Sequence, residues 1–190
     1  METVNIILSG LGGQGILFMT KVLAHAALTK GFNVMGAETH GMAQRGGSVV
    51  SHLRLGEVQS SLVRHGSAQF LLALEENEAY RNMPFLADRA RLYANASGRS
   101  FPRSEVTGLL NKKKVIFRAV EADRIAAEQG TPMAANLALL GFFSAFREGP
   151  VPYEDMKETI HRISPERFGA LNLKVFDAGY ETGTRQKTSA

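Results

Sequence analysis

Cysteine is absent from this sequence of 190 residues. Disulfides, thiolate nucleophiles, thiolate zinc sites and cysteine-ligated iron–sulfur clusters are therefore excluded on this chain. Excess charge is also small, because the net charge is only +4 and most basic residues are scattered. The basic run Lys112 to Lys114 is typical of a solvated loop before a strand, with attraction of phosphate as the less favoured alternative.

Long apolar runs are missing as well. The most apolar stretch, residues 133–146, is interrupted by Asn136 and Ser144 and is shorter than the roughly 20 residues that a membrane-spanning helix needs. The first residues carry no signal-peptide pattern, so we predict a cytoplasmic protein with no membrane partner. Length and composition predict a single domain over residues 1–181, followed by a polar, flexible tail at 182–190.

Apolar periodicity predicts an α/β fold. Residues 4–9 form a short apolar run that ends at a glycine, which is typical of a buried parallel strand. Apolar residues then recur at helical spacing from Ile16 until Lys30 and Gly31 end the helix, and residues 32–38 are predicted as a second strand. This order of strand, helix and strand is typical of a doubly wound sheet.

An antiparallel insertion interrupts this pattern. Residues 48–55 are predicted as a strand, Gly56 and Glu57 turn the chain, and residues 58–63 are predicted as the second strand of a hairpin. Further strands are predicted at 68–74, 91–94 and 115–119, and further helices at 75–86, 121–129, 131–146, 152–163 and 165–181. The predicted fold class is a Rossmann-like, three-layer α/β/α fold with a mostly parallel sheet, an antiparallel hairpin insertion and a helical C-terminal third.

A glycine-rich loop follows the first predicted strand and matches the pattern G-x-G-x-x-G. Glycines in this position allow a tight turn and let backbone N–H groups at the helix start approach a pyrophosphate. Glu38 ends the next predicted strand, near where a ribose-binding acid would lie. The alternative is a turn whose third glycine serves only packing; a P-loop is excluded, because its Lys-Ser/Thr pair would fall on Ile16 and Leu17. The candidate cofactor-binding residues of this loop are Gly10, Gly12, Gly13, Gln14 and Gly15.

A second loop, residues 39–48, combines glycines, an imidazole and a guanidinium at the carboxyl end of a predicted strand. Ligands of open α/β sheets bind at this end of the strands. Arg45 could hold a phosphate or a carboxylate, and the glycines after it would allow close approach; a bulged turn before a hairpin is the alternative. The candidate cofactor-binding residues here are Thr39, His40, Gly41, Arg45, Gly46 and Gly47.

The other polar residues indicate no self-sufficient active site. The five histidines lack the spacing of metal ligands, and no G-x-S-x-G motif of a nucleophilic serine occurs. We interpret Glu75, Glu76 and Glu78 as a solvated helix start, because acidic residues favour the first turn of a helix. We expect neither a metal site nor a catalytic residue on this chain.

Four ordered motifs resemble the gamma subunit of 2-oxoacid:ferredoxin oxidoreductases, over about residues 3–180. They are Gly10-Leu11-Gly12-Gly13-Gln14-Gly15, Glu38-Thr39-His40-Gly41-Met42-Ala43-Gln44-Arg45-Gly46-Gly47-Ser48-Val49, Asn136-Leu137-Ala138-Leu139-Leu140-Gly141 and Asn172-Leu173-Lys174-Val175-Phe176-Asp177-Ala178-Gly179. The second motif is most similar to the form found in the small (beta) subunit of indolepyruvate oxidoreductases. Pyruvate-type members tend instead to carry a Tyr-Gly and Met-Arg-Gly-Gly form.

This resemblance implies a noncatalytic subunit of an enzyme that decarboxylates a 2-oxoacid, such as indolepyruvate or pyruvate, to an acyl-CoA and CO₂. Thiamine diphosphate, Mg²⁺ and 4Fe-4S clusters are expected on partner subunits, and ferredoxin is the expected electron acceptor of the complex. The lack of cysteine and of a Gly-Asp-Gly thiamine motif agrees with that division. The chain would serve assembly and help to bind coenzyme A (CoA), and by itself it would be inactive.

Two other functions remain as alternatives. A free-standing NAD-dependent oxidoreductase would use the first glycine motif and Glu38, but it explains neither the hairpin insertion nor the run from Arg45 to Gly47. A nucleic-acid-binding module would use the small basic excess and would bind with a steep salt dependence. We favour neither, and we expect no nucleic-acid partner.

Overall fold

Six strands and seven α-helices build the fold over the residues that the computed structural model describes, which are 2–40, 46–98 and 100–188, the side chain of His40 excepted. The strands are β1 (Val4–Leu11), β2 (Val34–His40), β3 (Ser48–Leu55), β4 (Ala68–Ala73), β5 (Leu86–Asn95) and β6 (Ile116–Val120). The helices are α1 (Ile16–Thr29), α2 (Glu76–Asn82), α3 (Ser104–Lys112), α4 (Ala122–Glu128), α5 (Ala135–Ala145), α6 (Tyr153–Ile163) and α7 (Glu166–Thr188). Short 3₁₀ turns lie at Met83–Phe85 and Pro132–Ala134.

The strands form one sheet in the order β2-β3-β1-β4-β5-β6. Strands β1, β4, β5 and β6 pair in parallel, whereas β3 runs antiparallel to both of its neighbours, β1 and β2. This arrangement confirms the predicted α/β class with a mostly parallel sheet and an antiparallel part.

Apolar side chains on both faces of the sheet explain the continuous apolar run of β1. Ile6 and Leu8 belong to a core that the sheet forms with α1, α4, α5, α6 and α7, and Ile7 belongs to a core that it forms with α2 and α3. A parallel strand that is covered on both faces needs apolar residues at successive positions, so no polar alternation appears. The sheet and its two helical layers give the predicted three-layer architecture.

The antiparallel hairpin differs from the predicted one. It is formed by β2 and β3, and residues 58–63 are not a strand. A strand has only two edges, and both edges of β3 are occupied, by β1 and by β2. Residues 58–63 instead run as an irregular segment, where Arg54 donates to the carbonyl of Ser60 at 2.9 Å and His52 Nδ1 accepts from the N–H of Val63 at 3.1 Å.

The crossing of α5 and α7 explains the glycines of the third and fourth motifs. A β-carbon on Gly141 would overlap the carbonyl oxygen of Phe176, and one on Gly179 would overlap the carbonyl oxygen of Ala138. Since backbone atoms face both glycines, a side chain at either position would push the two helices apart. These two motifs therefore have a packing role in the structure.

Two further segments differ from their predicted structure. Helix α3 was not predicted; Lys112 is its last residue, and Lys113 Nζ donates to the carbonyl of Leu86 at 2.7 Å, so these two lysines do not form a solvated loop. Helix α7 continues to Thr188, so residues 182–188, which the sequence assigns to a flexible tail, are helical. Among the described residues, no helix is both long and apolar enough to span a membrane.

Candidate functional site

The glycine-rich loop of residues 10–15 joins the carboxyl end of β1 to the start of α1. The N–H of Gln14 donates to the carbonyl of Leu11 at 3.1 Å, and Gln14 Oε1 accepts from the N–H of Leu11 at 2.7 Å. Gly13 and Gly15 have φ angles of 99° and 81°, a region that residues with a β-carbon rarely adopt. The loop is therefore a tight turn that the side chain of Gln14 closes.

Two glycines of the loop lie against side chains that leave little room for a β-carbon. A β-carbon on Gly10 would lie 2.8 Å from Gln14 Oε1 and 3.1 Å from the β-carbon of Leu74. A β-carbon on Gly15 would lie 2.5 Å from Asn136 Nδ2, the group that also donates to the Gly15 carbonyl at 3.2 Å. Asn136 opens the third sequence motif, so the first and third motifs meet at the start of α1.

The second candidate loop lies directly against the first. The N–H of Gly12 donates to the carbonyl of Gly47 at 2.8 Å, and the N–H of Gly46 donates to the carbonyl of Gly12 at 3.2 Å. The structure thus brings Gly12, Gly46 and Gly47 together, as expected of two loops at the carboxyl end of the sheet. Thr39 lies on the exposed strand β2 and donates to the carbonyl of Val50 at 3.3 Å, and the backbone of His40 ends that strand. Gly41 and Arg45 lie outside the described residues.

Three backbone donors at the start of α1 make no hydrogen bond to any other described residue. Within the described part of the chain, no hydrogen bond uses the N–H groups of Gly13, Gly15 or Ile16. The first turn of α1 also contains no acidic residue. Open N–H groups and the positive end of the helix dipole favour an anion at this position.

A cleft of about 190 Å³ opens beside the loop, at the ends of β1, β4 and β5. It lies at the point where the strand order reverses. From β1 the chain continues through α1 to β2 and β3, toward one edge of the sheet, whereas β4, β5 and β6 extend from β1 toward the other edge. Its lining residues are Gly13, Gln14, Leu74, Asn95, Asp123, Pro132, Met133 and Ala135.

Asn95 and Asp123 in this cleft were not found from the sequence. Asn95 Nδ2 donates to Asp123 Oδ2 at 2.7 Å, and Asn95 Oδ1 accepts from the N–H of Ala122 at 2.8 Å, so Asn95 caps the start of α4. The only available signal was a polar residue at the end of a predicted strand. Because Asp123 is a carboxylate, the floor of the cleft is unfavourable for a phosphate.

Glu75, Glu76 and Glu78 lie at the start of α2, as predicted, but Glu78 is not solvated. Glu78 is only 3% exposed and accepts a hydrogen bond from Ser48 Oγ at 2.7 Å, next to the second loop. Arg81 Nη1 lies 3.6 Å from the same carboxylate. Glu75 accepts from Gln14 Nε2, so α2 is linked to both candidate loops.

Glu38 does not occupy the position of a ribose-binding acid. Strand β3 lies between β1 and β2, so the two strands are separated by two strand spacings, or about 10 Å. In a dinucleotide-binding fold the second strand lies beside the first. The cleft of about 190 Å³ is also small against the roughly 300–1,000 Å³ of common ligand pockets. The geometry therefore does not support the free-standing NAD-dependent alternative.

Comparisons with known proteins identify a family for this chain and do not point to a NAD-dependent enzyme. The family described as pyruvate ferredoxin/flavodoxin oxidoreductase matches residues 5–182. The indolepyruvate oxidoreductase subunit IorB of Archaeoglobus fulgidus is 35% identical to this chain, and the match covers 98% of each.

Solved structures with the same fold include other oxoacid oxidoreductases. The gamma subunit of a keto/oxoacid ferredoxin oxidoreductase from Geobacter sulfurreducens has a TM-score of 0.74 at 24% identity, covering 96% of this chain and 99% of that one. A 2-oxoglutarate:ferredoxin oxidoreductase from Magnetococcus marinus, with 2-oxoglutarate, coenzyme A and succinyl-CoA bound, has a TM-score of 0.79 at 20% identity. It covers 100% of this chain, which corresponds to 32% of that longer chain.

Proposed function

Since this chain belongs to the pyruvate ferredoxin/flavodoxin oxidoreductase family, we propose that it is a subunit of a 2-oxoacid:ferredoxin oxidoreductase of the indolepyruvate type. The observation that carries this proposal is the 35% identity to an indolepyruvate oxidoreductase subunit over 98% of both chains. The whole chain, and not only a shared fold, thus corresponds to one subunit of such an enzyme.

The thiamine diphosphate and the iron–sulfur clusters of this enzyme are carried by partner subunits. This chain has no cysteine to ligate a cluster. No group of three or more metal-ligating side chains occurs among the residues that the structure describes. Electrons would therefore pass from the 2-oxoacid to ferredoxin through the partner chains.

The loops at the carboxyl end of the sheet supply part of a binding site for coenzyme A. The N–H groups of Gly13, Gly15 and Ile16, which no described residue engages, together with the adjacent turn at Gly46 and Gly47, suit a phosphate of the coenzyme. The oxidoreductase from Magnetococcus marinus, which has the same fold, has coenzyme A bound. When bound, the coenzyme supplies the thiol that accepts the acyl group.

The described residues fit only one part of the coenzyme. The cleft of about 190 Å³ is too small for the whole molecule, and its floor carries Asp123. We therefore assign the phosphates to the rim formed by the two glycine loops, with the partner subunit completing the site. The role of this chain is to hold and orient the coenzyme against the partner.

Co-expression with the cluster-bearing subunit tests the proposed function. The two chains should co-purify anaerobically and catalyse a CoA-dependent reduction of ferredoxin or a viologen dye, with indolepyruvate or another arylpyruvate preferred over pyruvate and 2-oxoglutarate. The partner purified alone should lose most of this activity, and this chain alone should show none.

Other outcomes would contradict parts of this proposal. A chain that purifies without a partner, binds NADH and oxidises a substrate by itself would contradict the subunit assignment. A complex that prefers 2-oxoglutarate would leave the subunit assignment intact and refute the indolepyruvate type.

A further inference from the structure

Strand β6 is an open edge of the sheet over the described part of the chain. It pairs with β5 on one side and has no strand on the other. Apart from that pairing, no hydrogen bond among the described residues uses the backbone of residues 116–119. An unpaired row of N–H and C=O groups is a template for another extended chain.

A cavity of about 560 Å³ surrounds this edge. Its wall includes the four consecutive β6 residues 116–119, whose side chains alternate between the two faces of the sheet. Phe101 lies in the core on one face and Phe146 in the core on the other, and both line the same cavity. The cavity is therefore a groove along the edge of the strand, with apolar walls on both faces and the end of α7 beside it.

A rigid group of polar side chains lies on one wall of this groove. Arg118 Nη1 donates to Glu148 Oε2 at 2.9 Å, and its guanidinium lies 4.0 Å from the ring centroid of Phe146. The buried hydroxyl of Tyr93 donates to the same carboxylate at 2.6 Å. Although burial by itself raises the pKa of Glu148, the hydrogen bonds from Tyr93 and Arg118 outweigh it and lower the pKa, so the carboxylate stays ionised.

The groove carries an excess of positive charge. Glu148 is shared between Arg118 and Arg91, whose Nε lies 3.6 Å from the carboxylate. Lys187 lines the groove as well. The groove therefore attracts acidic side chains. If a second copy of this chain paired through the same groove, its cations would lie against those of the first copy and repel them.

We propose that an extended, acidic segment of the partner subunit pairs with β6 as a seventh strand. This inference rests on the proposed function of the chain as a subunit. Backbone hydrogen bonds along β6 provide affinity, and the alternating side chains of the segment enter the apolar walls at Phe101 and Phe146. Carboxylates of the segment lie beside Lys187 and Arg118.

Hydrogen–deuterium exchange of the assembled enzyme and of the isolated chain tests this pairing. The amides of β6 that face away from β5, at alternate positions within residues 116–119, should exchange about tenfold more slowly, or slower still, in the complex, because pairing protects an edge strand. Strand β2, the opposite edge of the sheet, provides an internal comparison. An unchanged exchange of β6 in an active complex would overturn the inference while the proposed function stands.

Matched charge reversals test the chemistry of the partner segment. Lys187→Glu should weaken association with the partner about three- to tenfold, and the loss should shrink at high salt. Lys21→Glu makes the same change in charge on an exposed face of α1 and should leave the affinity unaltered.

Other outcomes distinguish the alternatives. Equal effects of the two reversals would exclude an acidic segment at this groove. Protection of β6 in the isolated chain that increases with its concentration would identify a second copy as the occupant. Failure of any complex to form would contradict the proposed function and this inference together.

Discussion

His52 is a buried histidine of β3 whose protonation opposes folding. Its side chain is 5% exposed, and Nδ1 accepts the N–H of Val63 while the ring packs edge-on against Phe85 at 5.1 Å. Burial lowers the pKa of His52 below its usual value of 6.5. Just below pH 6.5, His52 binds a proton in the unfolded chain but stays neutral in the folded chain. The free energy of unfolding therefore decreases as the pH falls below about 6.5.

Urea unfolding at pH 8 and pH 5.5 measures this effect. The wild type should lose more stability between these two pH values than His52→Asn, in which an amide oxygen can still accept from Val63 but no group titrates. The same pH dependence in both proteins would assign the acid sensitivity to another group.

Single residues show where sequence reasoning succeeds and where it stops. The contact between Gly12 and Gly47 follows from topology, because the first loop follows β1 and the second loop leads into β3, the antiparallel neighbour of β1. The burial of Glu78 does not, because an acid in a first helical turn normally faces water. Its burial depends on how α2 packs beside the end of β1 and on the hydroxyl of Ser48, 30 residues away in the chain.

Helices α5 and α7 depend on glycines at their crossing. Gly141→Ala should destabilise the protein by about 1–3 kcal/mol, because the added β-carbon meets backbone atoms of Phe176 and Tyr180 that cannot move without separating the helices. The higher helix propensity of alanine offsets only about 1 kcal/mol of this cost. Urea or thermal unfolding of the isolated chain measures the difference.

Gly169→Ala is the matched control for the same helix pair. Gly169 also lies in α7, but a β-carbon there would meet no atom within 4 Å. This variant should gain about 0.5–1 kcal/mol in stability from reduced freedom of the unfolded chain and better helix propensity. If Gly141→Ala stabilised the protein as much as Gly169→Ala does, the close crossing would be refuted.

The strand order shows what local patterns cannot predict. The apolar runs of β1, β4 and β6 predict strands, because apolar side chains at successive positions suit a strand that helices cover on both faces. This signal does not depend on which strands lie beside it. The pairing partner of β3 is decided by competition for its two edges, which no short window of sequence contains. The segment 58–63 has the local pattern of a strand, but it cannot pair with β3, because β1 and β2 occupy both edges of that strand.

The whole molecule combines a layer of packed helices with two glycine loops at the carboxyl end of the sheet. The glycines at the crossing of α5 and α7 allow these two helices to pack closely, while the loops between β1 and α1 and between β2 and β3 meet at the carboxyl end of the sheet. Under the proposed function, the choice of 2-oxoacid belongs to the partner and contact with coenzyme A belongs partly to this chain.

This division predicts that one variant separates the two substrates. Met133 is 72% exposed and lines the cleft beside Gly13, so Met133→Asp should fold normally and place a negative charge near the phosphates of the coenzyme. The KM for CoA should rise about three- to tenfold while the KM for the 2-oxoacid stays unchanged. Leu109→Asp, at a 48% exposed position of α3, is the control and should change neither constant. A rise in the KM for the 2-oxoacid, or an unaltered KM for CoA in an intact complex, would remove the coenzyme from this end of the sheet.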